Sequence, residues 1–241
     1  MILVSVFLSI SAHAFVPPFT YVLDKSADKK NKVKFLELTY QVTAFQDQRP
    51  TSVQFKESFL FDLSKDMWMS EARDDQQKVL FTEKKKISDD ATALATLLQF
   101  DSSSERIQRS LNKMGFKVDR SKLDRMPPTV AWSYGQNIQL WFEKDEFIPF
   151  RWSHPNSKRE KGNPIEIQFS NYKNHKEIIQ VPQTITVSTR GQTLFVADLK
   201  QIIANDRKAI TESGESGWST DGESSSPVMK ELIERYYTHI R

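Results

Sequence analysis

Few side chains in this chain have the type and spacing for covalent or metal chemistry. Cysteine is absent, which removes disulfides, thiolate metal sites, a thiol nucleophile and a lipidated N-terminal Cys. The four histidines, His13, His154, His175 and His239, share no ligand spacing. His154 and His175 fall beside expected loops, with no base and nucleophile arranged around them. The acidic groups Asp74-Asp75, Asp89-Asp90 and Glu143 with Asp145 and Glu146 fall in expected turns, where carboxylates are solvated rather than gathered around an ion. Seven scattered Gly supply no phosphate-cradling loop. No catalytic group, metal or cofactor is therefore expected. The net charge of +3 spreads Lys and Arg among acids, without the concentrated basic stripe that nucleic acid requires. What stands out is apolar: 16 Phe and 5 Trp, enough for a large core or for a surface that takes up an apolar ligand.

The elements that would position these aromatics are mostly strands. Ile138 to Phe142 and Phe147 to Trp152 flank the polar run Glu143-Lys144-Asp145-Glu146, the pattern of an antiparallel hairpin. Pro149 donates no ladder hydrogen bond, so its strand is expected at an edge or bulged. Earlier, Leu36, Leu38, Tyr40, Val42 and Ala44 alternate with polar residues. After a turn over residues 46–51, Val53, Phe55, Phe59, Phe61 and Leu63 do the same. Shorter strands are expected at residues 67–71 and 78–82. Later, Ile165, Ile167 and Phe169, then Ile185 and Val187, alternate before Thr189-Arg190-Gly191-Gln192 turns the chain into Leu194-Phe195-Val196. Strict alternation means one buried face and one wet face.

Helices interrupt the sheet. One is expected after Pro17-Pro18, with Phe19, Val22 and Leu23 on one side. A second, over residues 90–100, presents Leu94, Leu97 and Leu98. A third begins at a capping box, Ser102-Ser103-Ser104-Glu105, and presents Ile107, Leu111 and Met114 up to Gly115. Residues 206–226 are rich in Ser, Glu and Gly and read as a flexible linker. It leads to a C-terminal amphipathic helix in residues 227–241, with Val228, Leu232, Tyr236 and Ile240 every four residues. Residues 1–14 are apolar, too short to span a bilayer, and end in Ala12-His13-Ala14, as a secretory signal peptide does. Residues 15–205 form the main domain.

Leu140-Trp141-Phe142-Glu143-Lys144-Asp145 followed by Phe147-Ile148-Pro149-Phe150-Arg151 is similar to a hairpin of apolar-Trp, acidic turn and apolar-Pro-apolar-Arg. Residues 165–172, then Val181-Pro182 and residues 185–187, are similar to the closing strands that accompany it. With the order of elements and the export signal, these motifs resemble the LolA-like family of periplasmic lipoprotein carriers, over roughly residues 17–205. The resemblance implies a mostly β (α+β) fold: a curved antiparallel incomplete β-barrel closed by a few helices, around an apolar cavity for acyl chains. Where the family carries Arg-Pro after the second long strand, with the Arg holding a lid shut, this chain has Ser64-Lys65-Asp66. Lys65 offers a lid-anchoring point charge without the planar fork of Arg.

The candidate cavity wall is Leu36, Leu38, Tyr40, Phe55, Phe59, Phe61, Trp68, Leu94, Leu97, Leu98, Leu140, Phe142 and Phe150. Trp132, Trp141 and Trp152 read either as further lining or as core. Two functions fit. In the first, a periplasmic carrier-like protein holds a lipid or the acyl group of a protein. In the second, the same fold has a filled cavity and serves as a non-carrier interaction or regulatory protein of the envelope. The C-terminal helix then either contacts an envelope protein or folds back on its own domain. The chain is expected to be neither transmembrane nor an enzyme.

Overall fold

Residues 16–87, 94–126, 129–155, 163–206, 216–223 and 225–240 are described in this computed structural model. The expected signal peptide and the Asp89-Asp90 pair lie outside the described residues. Two long alternating runs begin the sheet: β1 (Phe35–Gln46) and β2 (Arg49–Asp62). They are joined at Asp47 and Gln48, whose φ values of 49° and 64° make a two-residue turn that follows strand twist. The turn is shorter than residues 46–51. Pro50 lies inside β2 opposite Phe45, just past a register shift between Thr43 and Phe45.

A 3-10 turn (Leu63–Lys65) leads to β3 (Met67–Arg73) and β4 (Val79–Lys86). After the mid-chain helices come β5 (Ser121–Met126), β6 (Thr129–Tyr134), β7 (Gln139–Glu143), β8 (Pro149–His154), β9 (Ile165–His175), β10 (Ile179–Thr189) and β11 (Gln192–Ala204). β11 returns to pair antiparallel with β1, from Leu36 opposite Ala204 to Ala44 opposite Phe195, and so joins the two halves. With β12 (Gly217–Trp218) the order is β12-β4-β3-β2-β1-β11-β10-β9-β8-β7-β6-β5, one sheet of 12 strands whose ends do not meet. Laid flat it would be about 50 Å wide at ~4.8 Å per strand. Yet Leu80 of β4 and Leu123 of β5 pack on the same core cluster. The sheet is therefore curled around its helices, an open antiparallel barrel, as expected.

The helices fill the concave side. α1 (Phe19–Asp28) buries Phe19, Val22, Leu23 and Ala27. α2 (Leu94–Phe100) is buried on every side, not only along its leucine face. α3 (Ser104–Lys113) is capped one residue later than expected: Ser103, not Ser102, accepts from the Arg106 amide at 3.2 Å. The Asp101 carboxylate sets this start by accepting from the Ser103 amide at 2.8 Å. α3 ends at Gly115, φ 80°. There Gly115 and Phe116 donate back to Asn112 and Leu111, a Schellman motif. That turn puts Phe116 on the core and leaves Met114 40% exposed, the reverse of the expected Met114 contact.

Part of the stretch read as a linker is an ordered strap. Gly217 and Trp218 pair with Thr82 and Phe81 of β4. Ser219 and α4 (Thr220–Glu223) follow, with the Ser219 amide donating to the Leu80 carbonyl at 3.0 Å. α5 (Pro227–Ile240) then runs back across the concavity, burying Ile233, Tyr236, Tyr237, His239 and Ile240. A four-residue repeat drifts around a helix of 3.6 residues per turn, so Val228 of the expected stripe is 58% exposed. The true stripe is i, i+3, i+4, i+7 from Ile233. No helix among the described residues is long and apolar enough to cross a membrane.

Gly222 tests the strap. A Cβ there would lie 1.8 Å from the Leu80 carbonyl oxygen, and a backbone atom cannot step aside cheaply. Gly222→Ala should lower stability by about 1–3 kcal/mol and raise amide exchange across residues 216–223. Unchanged exchange there would show that the strap does not depend on this contact.

Candidate functional site

Twelve of the thirteen residues expected to line a cavity lie in one buried cluster. Leu36, Leu38 and Tyr40 of β1, Phe55, Phe59 and Phe61 of β2 and Trp68 of β3 share one buried cluster with Leu94, Leu97 and Leu98 of α2 and with Leu140 and Phe142 of β7. Phe59 stacks on Phe100 of α2 with ring centroids 5.1 Å apart. Phe150 is the exception. Trp141 pairs with Arg151 and Phe142 with Pro149, so Phe150 is the extra residue of a bulge and stays half-buried, outside this cluster. β8 lies inside the sheet, so of the two expectations for Pro149 the bulge is the one realised. Trp132 and Trp152 join the core. Trp141 is buried outside that cluster; its indole donates to Asp124 at 2.9 Å and Arg151 lies over its ring at 5.0 Å.

α5 occupies the middle of the concavity. The Tyr236 ring meets Phe55 and Phe195 edge-on at 5.4 and 5.7 Å, and Tyr237 meets Phe81 at 4.9 Å. Trp218 of the strap packs on the same Phe81 at 5.1 Å, beneath the Lys230 ammonium at 5.6 Å. Thr96 of α2 donates to the Ile240 carbonyl at 2.8 Å, which is why α2 is buried on its second side.

Beneath α5 lies a residue the sequence reading passed over. Glu57 sits in the apolar register of β2 between Phe55 and Phe59 and is 0% exposed. Its Oε1 accepts from Ser70 Oγ at 2.6 Å and its Oε2 from the Tyr236 hydroxyl at 2.7 Å. Ser70 Oγ and the Tyr237 hydroxyl are 2.9 Å apart. With the Ser70 proton directed to Glu57, Tyr237 is the donor in that contact. The signal was present: an acid at a buried parity position of a long strand needs donors from whatever covers it.

A second buried group ties α1 to the mid-chain helices. Lys30, just past α1, donates to the Leu98 carbonyl at 2.6 Å, and burial lowers its ammonium pKa to about 7 despite the Asp101 charge. Burial likewise pushes the Asp101 carboxyl up, against the Ser103 amide and the Arg106 guanidinium that favour its charge. Arg106 Nε lies 3.2 Å from Asp101, and its Nη1 3.9 Å from Asp66. Lys65, the expected anchor, is exposed on the 3-10 turn, and its neighbour Asp66 pairs with Arg106 of α3. Among the described residues no group of three or more His, Asp or Glu could hold a metal. His154 stacks on Trp152 at 4.5 Å, and His239 is buried in α5.

No family model and no curated protein matches the chain. Among solved structures it is similar to a LolA superfamily protein from Nitrosomonas europaea, at 12% identity over 78% of this chain and 94% of that one, TM-score 0.48. It is also similar to a domain assigned to outer membrane lipoprotein sorting from Vibrio parahaemolyticus, at 10% identity over 78% and 93%, TM-score 0.49. A third is a DUF1329 family protein from Desulfovibrio piger, at 12% identity over 79% and 93%, TM-score 0.46.

Lys30 gives a pH signature. Between its folded pKa of about 7 and its ordinary 10.5, the unfolded chain holds a proton that the folded protein lacks, so this residue makes stability rise with pH across that window. In Lys30→Met the rise should flatten. The difference in melting temperature between the variant and wild type should then move in favour of wild type from pH 7 to pH 10. A constant difference would place the ammonium in a wetter setting.

Proposed function

We propose that the protein is an exported binding protein of the cell envelope, carrier-like and not an enzyme, that holds the acyl chains of a lipid or acylated protein on its concave face. α5 holds that face when no ligand is present. The observation that carries this reading is the seat of α5: a C-terminal helix, tethered through a strap at the sheet edge, puts Ile233, Tyr236, Tyr237 and Ile240 into the apolar concavity. A tethered helix competes with ligand by mass action, and its departure sets the fraction of binding-competent protein. Acyl chains can replace it because each buried methylene contributes about 0.8 kcal/mol. The export pattern of residues 1–14 supports the periplasm as the location.

A second reading has its own observation. The Tyr236 and Tyr237 hydroxyls are pinned by Glu57 and Ser70, as suits a permanently filled interior. The protein would then act through its surface, including the outer side of α5, on an envelope partner.

Tyr236→Ala separates the two. Removing the ring should destabilise the fold by about 3–5 kcal/mol and free α5, seen as faster amide exchange over residues 227–240. Native mass spectrometry of the full chain after incubation with phospholipid vesicles should then find lipid adducts, more abundant in the variant than in wild type. A freed helix with no lipid on either protein would sink the carrier reading and leave the second.

A further inference from the structure

Glu57 and Ser70 sit on β2 and β3, not on α5. If α5 leaves, they stay on the concave wall with the acceptor sites that Tyr236 and Tyr237 filled. On the sheet Phe55 and Phe59 flank Glu57 along its strand, and Ala72 of β3 and Tyr40 of β1 lie opposite it. A buried carboxylate that loses a donor is costly, and water reaches it only if the chain that replaces α5 does not seal the face. We infer that this pair reads the ligand's head: it selects amphiphiles carrying a hydrogen-bond donor beside the acyl chain, whether hydroxyl, amide N–H or ammonium, and disfavours anionic heads. This rests on the acyl-chain reading above.

α5 itself is the template for that ligand. It presents an apolar stripe together with two phenol hydroxyls, one donating to Glu57 Oε2 at 2.7 Å and one to Ser70 Oγ at 2.9 Å. Both vacated positions are acceptors, because the Ser70 hydroxyl still donates to Glu57 Oε1 at 2.6 Å. A carboxylate or phosphate head at the same place would bring like charge against Glu57, where the low dielectric strengthens the repulsion. A donor head reproduces what the helix supplied.

The test uses the full chain and three probes of equal chain length, dodecylamine, dodecanol and dodecanoate, below their aggregation concentrations, with binding measured by calorimetry. Wild type should bind the amine and the alcohol about tenfold or more tighter than the carboxylate, the scale of discrimination expected from one buried polar contact. Glu57→Gln should shrink that ratio chiefly by improving dodecanoate binding. Tyr236→Phe removes a donor from the helix and leaves the wall intact, so all three probes should tighten while the ratio holds. Equal affinities in wild type, or a preference that survives Glu57→Gln, would overturn the head-group assignment and leave acyl-chain binding standing. No binding of any probe to wild type or Tyr236→Phe would overturn both. Should Glu57→Gln fail to fold, Ser70→Ala takes its place, with loss of the preference for the alcohol as the supporting result and its retention as the refuting one.

Discussion

A carboxylate buried in an apolar wall has to be met by donors, and in this protein that requirement decides where the last helix lies. Glu57 stands at an inward position of β2, among phenylalanines. The sheet itself supplies one donor, Ser70; another comes from Tyr236. Apolar packing alone would let α5 slide along the concavity at small cost, since such packing is not directional. Two hydroxyl contacts from consecutive residues of one helix fix both its rotation and its axial position. The strap then follows from geometry: with Tyr236 and Tyr237 so placed, Trp218 and Lys230 close over Phe81 at the edge of β4.

The remaining helices are held by another means. α1, α2 and α3 meet at Lys30, Asp101 and Arg106, a cluster whose charges are partly desolvated and oppose burial. Buried ionic groups of this kind are weak sources of stability and are costly to break singly. They fix the mutual placement of the three helices, and the connection through Asp66 extends that placement to the turn between β2 and β3. α2 thus has a charged fastening on one side and, from the Thr96 hydroxyl to the Ile240 carbonyl, a neutral one on the other.

Long alternating strands were legible from the sequence because a period of two survives anything short of a bulge. The order of hairpins and the open antiparallel sheet follow from it. The reading failed where a local device outweighed the pattern. The bulge at Phe150 removed one aromatic from the wall, the Schellman motif exchanged Met114 for Phe116, and Asp101 moved the cap of α3 from Ser102 to Ser103. The strap was missed because a stretch rich in Ser, Glu and Gly carries little periodic signal, yet two strand residues and one close-packed glycine suffice to dock it. Glu57 was missed for the opposite reason: the alternation was so regular that the one acid within it was passed over.

These two fastenings bear on which element can move. In the folded chain α2 is tied to the end of α5, Thr96 donating to the Ile240 carbonyl, so lifting α2 alone would break that contact. α5 presents one face to solvent and follows the strap that pairs with β4. Opening would expose two hydroxyl-bearing rings and leave the acceptors on the wall. Closing restores hydrogen bonds that a purely hydrocarbon ligand could not replace. A wall that accepts hydrogen bonds, under a helix that donates them, therefore sets a chemical threshold for any molecule that is to take the helix's place.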